Sequence, residues 1–357
     1  MGREFASAVG RWHALVDHPA KPEIVHVADP VLASREWFAK SLGCQISADY
    51  RALLQDPRVE AVYVAVPHDL HERVYIDVLR AGKHLFAEKP FGIDLPAAER
   101  IAAEARRRTG QLVRVSSEFP FFPAAQRIAR MSFGKILEVH AAFLHSSDLD
   151  PTKPINWKRR NATNGLYGCM GDLGLHVLHL PLRLGWTPRD VRALLTKVYD
   201  YRPDGKGGRA PSETWDNATL ACRSAKGNFP LVLETKRISP GDTNTWTIRV
   251  LGTENSAEYS TKRPKTLRTM PYKPGEPQAW REEDLGHGSV WPTITGGIFE
   301  FGFPDAILQM WASYLAELVG KEPAFRCATV DEALASHRLF TAALESERTG
   351  GAVGIPL

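Results

Sequence analysis

Short apolar runs alternate with amphipathic stretches in the first third of the chain. Residues 61–66 form a β-branched apolar run that Pro67 ends, a pattern typical of a buried parallel strand. Apolar positions recur at helical spacing in residues 72–80, and Gly82 follows where a left-handed helix end is favoured. Residues 83–87 are apolar again. This stretch therefore predicts a strand, a helix and a second strand.

The same alternation extends to both sides of this unit. Asp94 precedes one amphipathic stretch as a good N-cap residue. The pattern predicts helices at 5–16, 31–42 and 95–108, a short helix within 51–58, and strands at 23–28 and 111–116. Strands that alternate with helices predict an α/β fold with a parallel sheet.

The pattern changes after Glu118, where the chain becomes stiff and aromatic. A helix is predicted at 124–131, alternating strands at 136–145, 191–199, 215–224, 229–237 and 246–252, and closing helices at 305–319 and 330–345. We therefore predict two domains, a Rossmann-like domain at 1–118 and an α+β domain with a large, mainly antiparallel sheet at 119–357. Residues 262–288 are predicted to form a long loop, either near the substrate cleft or without a functional role.

Composition narrows the class of protein. With 357 residues, 43% of them apolar and 24% charged, the chain is expected to be a globular protein of two domains. A net charge of +4 is small for this length and does not suggest nucleic-acid binding. The four cysteines are scattered without a zinc-binding pattern, and no run is long and apolar enough to span a bilayer. A cytoplasmic enzyme without a metal site is expected.

Two groups of chemically active residues stand out. Ligands of open parallel sheets bind beyond the carboxyl ends of the strands, so Pro67, His71 and the turn Glu88-Lys89-Pro90 are expected to share one crevice. Asp172 and His176 are four residues apart in the stretch 168–181, so on a helix both side chains point the same way. Each group has a simpler interpretation: a surface turn with a solvated ion pair, and a satisfied core histidine.

Asp29 lies at the end of the predicted strand 23–28, which takes the place of the second strand in a dinucleotide-binding unit. A carboxylate there accepts hydrogen bonds from both ribose hydroxyls of NAD and repels the 2′-phosphate of NADP. Asp is also a good helix cap, and residues 31–42 are predicted to be helical. The position favours the ribose role, and with it NAD over NADP.

These motifs together resemble the glucose-fructose oxidoreductase, inositol dehydrogenase and rhizopine catabolism (Gfo/Idh/MocA) family. Residues 62–71 match the pattern V-x-x-A-x-P-x-x-x-H, A-G-K-H follows at 81–84, and E-K-P follows at 88–90. The resemblance continues in a G-D-x-G-x-H segment at 171–176, which in the family faces the nicotinamide. His179 departs from the family, which more often has an acidic or amide residue there.

The resemblance implies further site residues. Trp157 and Lys158 match a W-R or W-K segment near cofactor and substrate, although an exposed basic loop is the alternative interpretation. Gly2 corresponds to the third glycine of G-x-G-x-x-G, so Gly2 and Arg3 are expected to contact the cofactor. A first strand and the first two glycines are then expected upstream of Met1. Either Met1 is an internal methionine and the upstream segment has been left out, or the gene itself is shortened.

The expected activity is NAD-linked oxidation of a hydroxyl on a sugar, polyol or sugar derivative. His176 would act as the base, Lys89 would donate a hydrogen bond to the reacting oxygen, and Asp172 would hold either His176 or the substrate. Two alternatives stay open: redox-neutral glycoside cleavage with bound NAD, and a non-catalytic sugar- or nucleotide-binding protein. The resemblance also implies a homodimer or homotetramer formed through the C-terminal sheet.

Overall fold

The computed structural model describes residues 1–356. Its helices are α1 Gly2–Gly10, α2 Leu32–Leu42, α3 Tyr50–Leu54, α4 His71–Arg80, α5 Leu95–Arg107, α6 Pro123–Ile128, α7 Asn161–Asn164, α8 Cys169–Arg183, α9 Phe303–Leu318 and α10 Val330–Thr349. Its strands are β1 His26–Ala28, β2 Gln45–Ser47, β3 Ala61–Val64, β4 His84–Ala87, β5 Val113–Val115, β6 Ile136–Leu144, β7 Pro188–Thr196, β8 Tyr201–Pro203, β9 Arg209–Pro211, β10 Asn217–Ser224, β11 Pro230–Lys236, β12 Thr245–Gly252, β13 Asn255–Ser260, β14 Thr266–Pro271, β15 Arg281–Asp284 and β16 Val353–Gly354. Each of these helices is too short or too polar to cross a membrane.

The first third of the chain forms parallel strands, as the alternating pattern predicts. They are divided between two sheets, one of β1 and β2 and one ordered β3-β4-β5. Helix α4 connects β3 to β4, and Gly82 follows it with a φ of 77°. Asp94 caps α5 by accepting a hydrogen bond from the backbone N–H of Ala97. Both predicted helix ends are therefore confirmed.

The second half contains a nine-stranded sheet ordered β15-β14-β13-β12-β6-β11-β10-β7-β16. All neighbouring strands pair antiparallel except β6 and β11, which are parallel. Helices α8 and α10 pack against one face of this sheet. The prediction of a large, mainly antiparallel sheet is confirmed.

Two predictions about local structure are wrong. Residues 262–288 do not form one long loop, because β14 and β15 lie in this segment and form the outer edge of the large sheet. The first helix begins at Gly2 and ends at Gly10, and a separate 3₁₀ turn, Trp12–Ala14, follows it. Strand β13 is an element that the sequence pattern did not predict.

The core of the parallel sheet includes residues from the far end of the chain. Ala328, Ala333 and Leu334 belong to the same buried cluster as the apolar side chains of β3, β4 and β5. The backbone N–H of Val115 in β5 donates to the carbonyl of Ala328 at 2.8 Å. Residues near the start of α10 therefore complete the first domain.

Candidate active site

The turn after β4 is fixed by two tyrosines beneath it. Tyr63 donates to the Glu88 carboxylate at 2.5 Å, and Tyr75 donates to the Glu88 backbone carbonyl at 2.9 Å. The Lys89–Pro90 peptide bond is cis. These contacts hold the Lys89 side chain at the carboxyl end of the parallel sheet, where the sequence predicted a crevice.

His71 supports the same turn from within the core. Its ring nitrogens lie 2.7 Å from the Pro90 carbonyl and 3.0 Å from the Val66 carbonyl, and its side chain is fully buried. Burial lowers the pKa of His71 to about 4, so the ring is neutral at pH 7. The side chain positions the turn, which differs from the predicted cofactor contact. Pro67 precedes the 3₁₀ turn His68–Leu70.

Helix α8 brings Asp172 and His176 to the cleft, and its glycines allow close packing. Gly168 precedes the helix with a φ of 56°, and a side chain there would lie 2.6 Å from the Trp215 backbone nitrogen. A Cβ at Gly174 would lie 2.2 Å from the Phe340 ring. Because only glycine fits at position 174, α8 lies close to α10, and Asp172 and His176 on this helix are both buried.

Asp172 is surrounded by three cations. Lys89 Nζ lies 2.6 Å from its backbone carbonyl and 3.3 Å from Oδ1, Lys158 Nζ lies 2.9 Å from Oδ1, and the Arg237 guanidinium donates to Oδ2. Burial by itself would raise the pKa of Asp172, but the charges of Lys158, Lys89 and Arg237 lower it well below the usual value. The carboxylate is therefore ionised and anchors these cations. None of its hydrogen bonds within residues 1–356 reaches His176, and the alternative role of holding the substrate stays a prediction.

A second buried carboxylate extends this charge network. Arg237 Nε donates to Asp148 at 2.6 Å, and Asp148 also accepts from Lys153 at 2.9 Å and from Arg159. Arg159 donates in turn to Asp216 at 2.6 Å. Alternating charges satisfy one another here, as buried ions must. Arg237 and Asp148 thus help to hold Asp172, a role that the sequence did not predict.

Lys89 keeps its proton in this setting. Burial alone would lower the pKa of Lys89, but the charges of Asp172, Glu88 and Glu118 raise it above its usual value. An ammonium group has three N–H donors, and two of them are directed at Asp172. One donor is left for a substrate oxygen.

His176 is buried between two aromatic rings and faces Glu118. The Phe119 and Phe143 rings lie edge-on to it at centroid distances of 5.4 and 5.2 Å. Its Nδ1 lies 3.6 Å from Glu118 Oε2. Burial, reinforced by the charge of Lys89, lowers the pKa of His176 well below its usual value, so the imidazole is neutral at pH 7 and able to accept a proton.

Glu118 is a residue of this site that the sequence analysis used only as a domain boundary. It directly precedes the 3₁₀ turn Phe119–Phe121, and its side chain is buried. Burial raises the pKa of Glu118 to about 7, and the nearby charge of Glu88 acts in the same direction. A carboxyl group that titrates near neutral pH beside a histidine is a recognisable mark of a functional site.

Trp157 and Lys158 lie at the mouth of the cleft. The Trp157 ring packs edge-on against His68 at 4.9 Å, and Lys158 Nζ lies 5.6 Å from the Trp157 ring centre. Burial lowers the pKa of Lys158. Because Lys158 also contacts Asp172, this segment is part of the site and not a separate basic loop.

The residues expected to hold the adenosine end of NAD lie around α1 and α2. The Arg3 guanidinium lies 4.7 Å from the centre of the Trp37 ring, and a Cβ at Gly2 would contact the Phe38 ring at 3.4 Å. Asp29 Oδ1 accepts from the Val31 backbone N–H at 2.7 Å, which closes a local turn just before α2. The N-cap of α2 is Val31 and not Asp29, so the alternative interpretation as a helix cap is not what the structure shows. Binding of the adenosine ribose by Asp29 stays a prediction, and its Oδ2 atom would accept the hydrogen bonds of the ribose hydroxyls.

These features fit a dinucleotide. The amino end of α1 offers backbone N–H groups beside α2, Asp29 follows β1, and Lys89 follows β4, so acceptors and donors lie at the strand ends where such cofactors bind.

Residues 5–117 match the family model "Oxidoreductase family, NAD-binding Rossmann fold", and residues 123–258 match the Gfo/Idh/MocA C-terminal domain. The chain belongs to the Gfo/Idh/MocA oxidoreductase family.

Relatives within the Gfo/Idh/MocA family include sugar and polyol dehydrogenases. The chain is 26% identical over 270 residues to levoglucosan dehydrogenase of Pseudarthrobacter phenanthrenivorans. This match covers 70% of this chain and 68% of that protein. The chain is 25% identical over 269 residues to inositol 2-dehydrogenase of Rhizobium meliloti, covering 73% of this chain and 76% of that protein.

Solved structures of the Gfo/Idh/MocA family confirm the fold. A levoglucosan dehydrogenase in complex with NADH superposes with a TM-score of 0.90 at 21% identity, covering 100% of this chain and 96% of that one. An inositol dehydrogenase homologue from Azotobacter vinelandii, in complex with NAD⁺, superposes with a TM-score of 0.78 at 21% identity, covering 97% and 93%. The α/β architecture predicted from the sequence is that of the family.

Proposed function

We propose that this protein is an NAD-dependent dehydrogenase that oxidises a hydroxyl group of a sugar, a polyol or a sugar derivative. The observation that carries the proposal is a neutral buried imidazole, His176, in the same cleft as a protonated Lys89 that has a free donor. A proton acceptor and an oxyanion donor are the two groups that oxidation of an alcohol requires from the protein. The names of the sugar and polyol dehydrogenases among its relatives support this substrate class.

In this proposal the protein accepts one proton from the substrate and stabilises the negative charge that develops on the substrate oxygen. His176 takes the proton of the substrate hydroxyl, and the ammonium group of Lys89 donates to the same oxygen as negative charge develops on it. Asp172 does not react, because its three cations keep it ionised. Its role is to hold Lys89 and Lys158 in place.

The cofactor would be held at the strand ends. Gly2 and Arg3 would lie near the pyrophosphate, and Asp29 would bind the adenosine ribose. Pro67, Glu88 and Trp157 would line the nicotinamide side. NAD, when bound, supplies the acceptor for the hydride that leaves the carbinol carbon. A carboxylate at Asp29 favours NAD over NADP, because it repels a 2′-phosphate.

We also propose that copies of the chain associate through the exposed face of the nine-stranded sheet. Leu194 on β7 is 67% exposed although its neighbours Val191 and Ala193 are buried under helix α10. The proposal rests on the family resemblance, which implies association through this sheet, and Leu194 is the exposed apolar residue at which it can be tested.

The decisive experiment compares wild type with His176→Ala on a panel of sugars and polyols, including levoglucosan and inositol. Wild type should form NADH, and the variant should be slower by roughly 10²–10⁴-fold while its affinity for NAD is retained, because only proton transfer is lost. His13→Ala is the control: this exposed histidine lies in the 3₁₀ turn Trp12–Ala14, away from the cleft and from the large sheet, and its loss should leave turnover unchanged.

The same assay separates the other candidate functions. Cleavage of glycosides without net formation of NADH would show redox-neutral chemistry instead of a dehydrogenase. Binding of NAD or sugar without any turnover would show a binding protein. A near-normal rate for His176→Ala would remove His176 from the mechanism.

A further inference from the structure

The carboxyl group of Glu118 and the imidazole of His176 face each other in the core. Oε2 and Nδ1 are 3.6 Å apart, and within residues 1–356 both atoms are buried and have no hydrogen-bond partner. Buried polar atoms that lack partners cost free energy, so two of them that face each other call for a physical explanation. A small movement of either side chain would bring the two atoms into hydrogen-bond distance.

The packing around His176 decides which nitrogen faces the carboxyl group. Phe119 and Phe143 both lie edge-on to the imidazole and restrict its rotation. Trp246 Nε1 donates to the His176 backbone carbonyl at 2.9 Å and fixes this turn of α8. With Nδ1 directed at Glu118, Nε2 is the nitrogen left to meet the substrate.

The surrounding charges come from several elements. Lys89 acts on both members of the pair, and Glu88 acts on Glu118. Asp172 on α8, His145 after β6 and His179 on the next turn of α8 act on His176. Asp172 is already neutralised by its three cations, so Glu118 is the acidic side chain closest to the ring that is free to respond to it.

We propose that Glu118 selects the tautomer of His176 and thereby switches the base on and off. The ionised carboxylate accepts the proton of Nδ1–H, which leaves the lone pair of Nε2 free to take the substrate proton. The inference rests on the proposed function, in which His176 is the base. Glu118 is a positioning residue here, since it acts through His176.

Protonation of Glu118 reverses the arrangement. The carboxylic acid donates its own O–H to Nδ1, the single proton of the neutral ring then lies on Nε2, and that nitrogen has no lone pair for the substrate. In the active state the O–H bond of the substrate breaks and an Nε2–H bond forms. The resulting imidazolium is stabilised by the Glu118 carboxylate, so charge balances within the pair.

The direct test is the tautomer of His176 in the free protein, followed by ¹⁵N NMR of labelled histidine with neither sugar nor NAD present. The signal is assigned by its absence from a His176→Gln variant. Because burial places the pKa of Glu118 at about 7, wild type should have its proton on Nδ1 above that pH and on Nε2 below it. The same tautomer on both sides of pH 7 would overturn the proposal.

The second test is the pH dependence of kcat/KM. Wild type should lose activity about tenfold per pH unit below pH 7, whereas Glu118→Gln cannot ionise and should lose this dependence. Glu104→Gln is the matched control, a buried glutamate in α5 that pairs with Arg108 and should keep the wild-type profile. An active Glu118→Gln with an unchanged profile would overturn the proposal but leave the dehydrogenase assignment intact.

The two assignments can fail separately. If no sugar or polyol yields NADH, the proposed function fails, and the NMR measurement still decides whether Glu118 controls the tautomer. A Glu118→Gln variant that does not fold leaves the wild-type titration as the deciding result.

Discussion

Asp172 and Glu118 are carboxyl groups in one cleft with opposite surroundings. Asp172 has three cations within contact distance, so its pKa is lowered, whereas burial and the nearby charge of Glu88 raise the pKa of Glu118 to about 7. Two titratable groups whose environments separate their pKa values divide their roles. At the residue scale we therefore assign anchoring to Asp172 and proton control to Glu118.

Replacing Lys89 with Met tests the oxyanion donor. The change keeps bulk but removes the charge, so turnover should fall by roughly 10²–10³-fold. The fold should survive, because Lys158 and Arg237 still neutralise Asp172. Turnover and melting temperature are measured together, with Lys83→Met as the control lysine outside the cleft. Loss of the melting transition would mean that Lys89 is structural.

Glu118→Gln should also change stability, with a defined sign. The pKa of Glu118 is raised from 4.5 to about 7, so its contribution to stability is complete below pH 4.5 and is lost as pH rises through 7. An uncharged glutamine avoids this loss. The variant should therefore exceed wild type by roughly 3 kcal/mol in the free energy of unfolding above pH 7, with little difference below pH 4.5. Urea unfolding at both pH values checks this, and a pH-independent difference would contradict it.

At the residue scale, the sequence could predict residues that sit in local motifs. Lys89, Asp172 and His176 were each found through spacing or a turn signature. Glu118, Asp148 and Arg237 were not, because their roles depend on contacts across about 60 to 90 positions of sequence. A buried charge is recognisable only when its partner is known.

At the element scale, helix α8 depends on its small residues. Gly174→Ala places a Cβ 2.2 Å from the Phe340 ring and should lower the free energy of unfolding by about 1–3 kcal/mol. Gly171→Ala is the matched control on the same helix, where the nearest atom would be 3.4 Å away. Thermal unfolding of both variants checks the prediction, and adding Phe340→Leu should recover part of the loss. Equal effects at the two glycines would show that backbone entropy, not the contact with α10, is responsible.

Asp29, which directly follows strand β1, is predicted to determine the choice between NAD and NADP. Asp29→Ala should weaken NAD more than NADP, since the ribose loses an acceptor and the phosphate loses a repelling charge. Asp49→Ala is a close control, because Asp49 also accepts from a backbone N–H two residues on, at 2.9 Å, before another helix. Both affinities are measured by titration. Unchanged values in Asp29→Ala would leave this residue with only its local turn contact to Val31.

Elements with strong periodicity were predictable, and polar strands were not. The helices α2, α4, α5 and α10 lie close to their predicted positions because each has a cap or a clear apolar face. The sequence pattern predicts a loop where β14 and β15 lie, since β15 is the charged tetrapeptide Arg281–Asp284 and only Leu267 and Thr269 of β14 are buried. They form strands because they pair with the neighbouring edge of the sheet, and the local sequence has no pattern that shows this contact.

At the scale of the whole molecule, the exposed sheet face predicts an oligomer. Light scattering of wild type should give the mass of a dimer or tetramer, and Leu194→Glu should lower it, because a charge would be buried between copies. Ile298→Glu is the control, an exposed apolar residue outside the sheet. A monomeric wild type would contradict this assignment of the face.

The participation of Ala328, Ala333 and Leu334 in the first domain has a consequence for biosynthesis. On the ribosome, β5 is made roughly 200 residues before these side chains exist, a delay of about 10–40 s at ordinary elongation rates. Throughout that time the nascent domain has an incomplete core and an unbonded Val115 N–H. The domain that is synthesised first can therefore complete its core only near the end of synthesis, and chaperones have a long interval in which to bind it.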